Sequence, residues 1–181
     1  MFAAQTTRQV FESALERVRR SFRLRVYGYV VMPEHVHLLI SEPERGVLAD
    51  ALKSLKQGVS RRLIGDAEHF WQKRYYDFNV RDHAQFVEKL RYIHRNPVKA
   101  GLCERPEDWE WSSFRHYATG DEGCVEIESE WTARKRERLE GKLSPAIELP
   151  HSSQRGLEWA TQELRKQETV AHTKRRAFCD V

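Results

Sequence analysis

Apolar residues recur near the start of the chain at the spacing of one helical face. Val10, Phe11, Ala14, Leu15 and Val18 fall on one side of residues 9–20, with Glu12, Glu16, Arg17 and Arg20 on the other. This pattern predicts an amphipathic helix. From Leu24 the period drops to two: Leu24, Val26, Gly28, Val30 and Met32 alternate with Arg25, Tyr27, Tyr29 and Val31. Pro33-Glu34 then turns the chain into Val36, Leu38 and Ile40 alternating with His35, His37 and Leu39, so an antiparallel hairpin is expected. Leu48, Leu52, Leu55 and Val59 give residues 47–63 a helical stripe, with Lys53, Lys56, Arg61 and Arg62 outside it and Gly65-Asp66 as the stop. Within 71–81, Tyr76, Phe78 and Val80 alternate with Tyr75, Asp77 and Asn79 as in a strand. A third helix is expected over 83–95, halted before Pro97 because proline crowds the preceding residue out of helical geometry.

The order helix, strand, strand, helix, strand, helix predicts an α+β fold, a short-stranded antiparallel sheet with helices on one face. Residues 1–120 read as one domain. Beyond them the composition changes, and 121–181 reads as a loosely attached, charged tail, partly helical or disordered. Its weak helix candidates are 131–140 and 156–170, around Ser144-Pro145 and Pro150-His151-Ser152-Ser153.

Composition narrows the function classes. Of the 181 residues, 40% are hydrophobic, enough for one core, and 32% are charged. No apolar run approaches the roughly 18 residues of a membrane span, and the N-terminal residues have no apolar signal core, so a cytoplasmic protein without membrane contact is expected. Cys103, Cys124 and Cys179 are scattered and lack a CxxC spacing, which argues against a disulfide framework or a thiolate zinc site. The net charge of +4 is concentrated in the first 120 residues and is compatible with a polyanionic partner.

Candidate chemistry lies in two places. On a strand, His35 and His37 share a face with Cβ atoms roughly 6.5 to 7 Å apart, close enough to hold one metal ion. Val36, Leu38 and Ile40 would then take the helix-covered side and leave both imidazoles toward substrate. A half-exposed strand face that merely carries two histidines fits the same pattern. On the third helix, Phe86, Val87, Leu90 and Ile93 form the buried stripe, and Tyr92 falls about 150° from its centre. Asn96 lies one turn on, with Gln85 and Lys89 on the same side. An exposed tyrosine without a role is the plain alternative.

A phenol is a poor nucleophile at neutral pH, and attack on a phosphodiester also needs help with charge on the phosphate oxygens. A divalent ion on His35, His37 and the Asn96 carbonyl would supply that help and keep positions open for the scissile phosphate. Lys89 could favour the phenolate or bind a phosphate. Imidazole and amide ligands admit Mg2+ or Mn2+.

Four blocks in order, 29–40 (YVVMPEHVHLLI), 70–77 (FWQKRYYD), 92–102 (YIHRNPVKAGL) and 111–114 (WSSF), resemble the IS200-like Y1 transposases, and more narrowly the REP-associated tyrosine transposases. The resemblance covers about residues 8 to 118. It implies a ferredoxin-like or RRM-like fold of the HUH type and an endonuclease that cuts and rejoins hairpin-bearing single-stranded DNA through a 5′-phosphotyrosine. It assigns Tyr92 as nucleophile and His35, His37 and Asn96 as ligands of Mg2+ or Mn2+, in a monomer or homodimer associated with the nucleoid. Relatives begin with a central strand ahead of the first helix, whereas this chain starts almost in that helix, so that strand is expected to be missing. The rival expectation is a truncated, inactive copy that binds single-stranded DNA through Lys53, Lys56, Arg61, Arg62 and aromatic side chains. Lys89 is a further candidate contact.

Overall fold

The computed structural model describes residues 2, 4–63, 71, 76–140 and 176–180. The helix candidate at 156–170, the two proline-containing segments ahead of it and Tyr75 of the expected strand lie outside the described residues. Helix α1 (Gln5–Phe22) buries Phe11, Ala14, Leu15 and Val18, the stripe its periodicity predicts. The hairpin follows as β1 (Val26–Val31) and β2 (Val36–Ser41), closed by the Met32 N–H donating to the His35 carbonyl at 2.9 Å. Helix α2 (Leu48–Leu63) buries Leu52, Leu55 and Val59, and strand β3 is Tyr76–Val80.

Helix α3 (His83–Lys99) is capped by Asp82, whose side chain accepts from the Gln85 N–H at 2.8 Å. It runs through Pro97 instead of stopping before it. Proline there forfeits only one amide donor near the helix end, and the ladder resumes with Ala100 N–H to the Asn96 carbonyl at 2.9 Å. Asn96 therefore stays helical, one turn beyond Tyr92. A 3-10 turn (Pro106–Asp108), α4 (Phe114–Thr119), α5 (Glu130–Leu139) and β4 (Arg176–Asp180) complete the described elements.

The four antiparallel strands lie in the order β1-β2-β4-β3. β2 and β3 are not paired with each other. β4 lies between them, with His37 opposite Asp180, Leu39 opposite Phe178 and Ser41 opposite Arg176 on one side. On its other side Phe78 is opposite Phe178 and Val80 opposite Arg176. The strand expected to be missing from the sheet centre thus has its place filled by residues 176–180, which composition alone assigns to a loose tail. Paired on both edges and covered on both faces, Ala177, Phe178 and Cys179 are buried, which satisfies backbone groups on β2 and β3 that would otherwise be exposed.

Residue 120 is likewise no limit of the packed chain among the described residues. Val125 and Ile127 are buried, and the Glu128 N–H donates to the Val26 carbonyl at 2.7 Å along the outer edge of β1. Farther along that edge, Val31 N–H donates to the Trp111 carbonyl and Ser113 N–H to the Tyr29 carbonyl. These two segments cover an edge strand that would otherwise offer itself to other chains.

Helices cover both faces of the sheet. Tyr29 points to the α1 side, where its hydroxyl donates to Glu12 at 2.7 Å. Its neighbour Gly28 points the other way, where a Cβ would lie 2.5 Å from Leu90 Cδ1 of α3. α1 and α2 thus share one face, and α3 crosses the other at a closeness only glycine permits. The α+β sandwich is as expected, but its helices are divided between the faces.

Candidate active site

His37 is the second residue of β2 and faces α3, so the periodicity of the strand delivers it to the same space as the off-core side of that helix. His35 Nε2 lies 3.0 Å from His37 Nε2, and the Asn96 side-chain amide is 2.9 Å from that same His37 nitrogen. The Tyr92 ring stands edge-on to His37, with centroids 5.2 Å apart, and is 39% exposed. The structure therefore brings His35, His37, Tyr92 and Asn96 together at one corner of the sheet.

The two histidines differ in access. His35 is half-buried, but His37 is only 2% exposed, contrary to the expectation that both would be open to substrate. Strand alternation assigned their face correctly, but that face is roofed by α3 and flanked by Phe178, whose ring stacks on His37 at 5.7 Å and 18°. Burial pushes the His37 pKa down to about 4; the Asp180 charge raises it in part, and His35 opposes ionisation. The imidazole is thus neutral near pH 7, as a metal ligand must be.

The donor set fits a divalent ion. Two nitrogens bound at right angles to an ion at about 2.1 Å stand about 3 Å apart, the separation of the two Nε2 atoms here. Half a turn of the Asn96 amide would present its oxygen in place of its nitrogen at the same point. His35, His37 and Asp180 also form a group whose potential ligand atoms lie within 4.8 Å of one another.

The cationic candidates divide by face. Lys89 is at the site, its Nζ 4.7 Å from the Phe78 ring centre and 5.4 Å from that of Phe178. Lys53, Arg61 and Arg62 are exposed on α2, across the sheet from Tyr92. Lys56 lies over the Trp71 ring at 5.7 Å on that same side. These four residues do not converge on the tyrosine. Sequence reasoning missed Lys99, whose Nζ is 5.3 Å from the Tyr92 ring centre, and also Phe178 and Asp180. The i, i+7 spacing of Tyr92 and Lys99 could have revealed the first; the other two depend on the pairing of β4.

Residues 1–96 match the model of the IS200-like transposase family. A Haemophilus influenzae protein named as a REP-associated tyrosine transposase is 30% identical over 117 residues, which is 58% of this chain and 66% of that protein. The REP-associated tyrosine transposase of Escherichia coli K12 is 27% identical over 111 residues, 60% of this chain and 66% of its own length. The chain matches just under two thirds of the length of these curated relatives. A solved REP-associated tyrosine transposase bound to a REP hairpin shares the fold, with a TM-score of 0.58, 20% identity and coverage of 82% of this chain and 83% of its own.

Proposed function

We propose that this chain, which belongs to the IS200-like transposase family, cuts and rejoins single-stranded DNA that carries a hairpin, with Tyr92 as nucleophile. The observation that carries the reading is an exposed phenol beside two imidazole nitrogens 3.0 Å apart, with Asn96 one helical turn beyond it. The binding of a REP hairpin by the solved relative supports the choice of substrate.

His35, His37 and Asn96 would hold a Mg2+ or Mn2+ ion, which supplies Lewis acidity to the phosphate and orients it for in-line attack. The rest of the chemistry belongs to the side chains. Tyr92 is carried on a helix that is packed through Leu90 and Ile93, so its oxygen is presented at a fixed height above the sheet. Its attack forms a bond to phosphorus and breaks the bond to the 3′ oxygen, leaving a free 3′-OH and a 5′-phosphotyrosine. The phenol gives up its proton to solvent, and the departing oxygen gains one. Attack by another 3′-OH on the phosphotyrosine reverses the exchange and rejoins strands without an external energy source. Lys89 and Lys99, on either side of Tyr92, are placed to attract the phosphate backbone.

A cytoplasmic, nucleoid-associated setting follows from the substrate. Among the described residues no helix is long and apolar enough to cross a membrane. The test is incubation of the chain and of Tyr92→Phe with labelled hairpin oligonucleotides and Mn2+, followed by denaturing electrophoresis. A protein–DNA adduct that needs both Tyr92 and the metal is expected. Retention of DNA without an adduct would replace the enzyme with a DNA-binding module.

A further inference from the structure

We propose that Asp180, at the end of β4, is a positioning residue for the metal ligand His37: its carboxylate accepts the Nδ1–H and so turns the Nε2 lone pair toward His35 and Asn96. The inference rests on the metal reading of the site given above and adds to it a residue from outside the matched region. His37 and Asp180 are direct partners in the β2–β4 register, and opposed residues in an antiparallel pair project to the same face. The two nitrogens of His37 have different surroundings. Nε2 is taken up by the His35 and Asn96 contacts. Nδ1 is buried and without a hydrogen-bond partner, and Asp180 Oδ1 is 3.7 Å away.

A neutral imidazole has one N–H and one lone pair, so the group that satisfies one nitrogen decides what the other can do. A carboxylate behind Nδ1 fixes the proton there and raises the basicity of Nε2, the arrangement found behind many metal-bound histidines. Asp180 has the freedom to complete the contact. Its side chain is 41% exposed, while the backbone beneath it is held by pairing to both β2 and β3. A rotation of this short side chain closes the remaining gap of under about 1 Å to an ordinary hydrogen bond. Phe178, on the same face two residues earlier, stacks on the ring and keeps it from turning away. Metal affinity is thereby tied to the docking of β4.

The experiment compares the full chain with Asp180→Ala and Asp180→Asn by two readouts. Mn2+ binding is followed by titration calorimetry, and the His37 tautomer by 15N chemical shifts of the metal-free protein, with thermal melts confirming that each variant is folded. Asp180→Ala is expected to weaken Mn2+ binding about 10- to 100-fold and to move His37 out of the Nδ1–H form. Asp180→Asn keeps a carbonyl acceptor and should restore part of both. Unchanged affinity and tautomer in a folded Asp180→Ala protein would overturn the proposal. So would weakened binding with an unchanged tautomer, because Asp180 would then be a direct ligand. A wild-type chain that takes up no Mn2+ would defeat the metal reading itself, and the tautomer would still decide the role of Asp180.

Discussion

The two faces of the sheet hold the same strands but serve opposite ends. On the α1–α2 side two helices close the surface over Val36, Leu38 and Ile40, and the polar pair Glu12–Tyr29 is satisfied within the core. On the α3 side a single helix crosses the sheet, and the corner it leaves at the start of β2 is filled by His35, His37, Asn96 and Tyr92. The first face puts its area into burial; the second gives up some burial to bring polar groups to the edge of solvent. The strand His37 shares with Leu38 connects them, so the site inherits its rigidity from a core it does not face.

The sharpest way to break this contrast is to damage the closed face alone. Leu55→Ala removes a fully buried side chain from α2 and should cost about 2–5 kcal/mol in urea unfolding. At a temperature where the variant remains folded, formation of the Tyr92 adduct should be unchanged; loss of the adduct would mean that the faces are not separable. Gly28→Ala makes the reverse test. The added methyl meets Leu90 Cδ1 at 2.5 Å, for which overpacking costs about 1–3 kcal/mol, and the strain falls on α3. Adduct formation should fall by more than the stability loss explains, and Leu90→Ala in the same chain should restore part of it.

Acid supplies the smallest and most graded perturbation. His94 on α3, buried and 2.9 Å from Ser113 Oγ, has its pKa pushed down by burial to about 3, with His116 adding to the effect. The unfolded chain takes up this proton near pH 6.5 and the folded chain does not. The stability it lends is therefore complete above pH 6.5 and drains away as the pH falls from there toward 3. Between pH 7 and pH 6 the loss for one such group is about 0.7 kcal/mol, a figure set by the unfolded value alone. Hydrogen exchange should show α3 loosening before α1 and α2 over this range, and His94→Gln should flatten the dependence.

Local periodicity made much of the molecule legible. The stripes of α1, α2 and α3 and the alternation of the hairpin lie within short windows, so one chain suffices to read them. The spacing of His35 with His37, and of Tyr92 with Asn96, likewise follows from strand and helix geometry. What periodicity does not give is the identity of the neighbour. Alternation put His37 opposite Leu38, but only the tertiary packing of α3 shows that both sides are covered. The same limit hid β4. Ala177, Phe178 and Cys179 form a short apolar run, as a strand buried on both faces should, yet three residues at the end of a charged segment carry no sign of the strands they join. Asp180 could not be recognised while its partner strand was unknown. Pro97 misled for a different reason, since a proline in the last helical turn forfeits little.

The position of β4 also sets an order of assembly. β1 and β2 meet across a four-residue turn and can pair early, at little cost in chain freedom. The β2–β4 contact joins His37 to Asp180, so nearly the whole chain must be gathered before its first hydrogen bond is gained. Contacts of such long range slow folding and leave the flanking strands open in the meantime. During that interval β2 and β3 present bare edges to any other extended chain, so the yield of closed sheets is expected to fall as protein concentration rises.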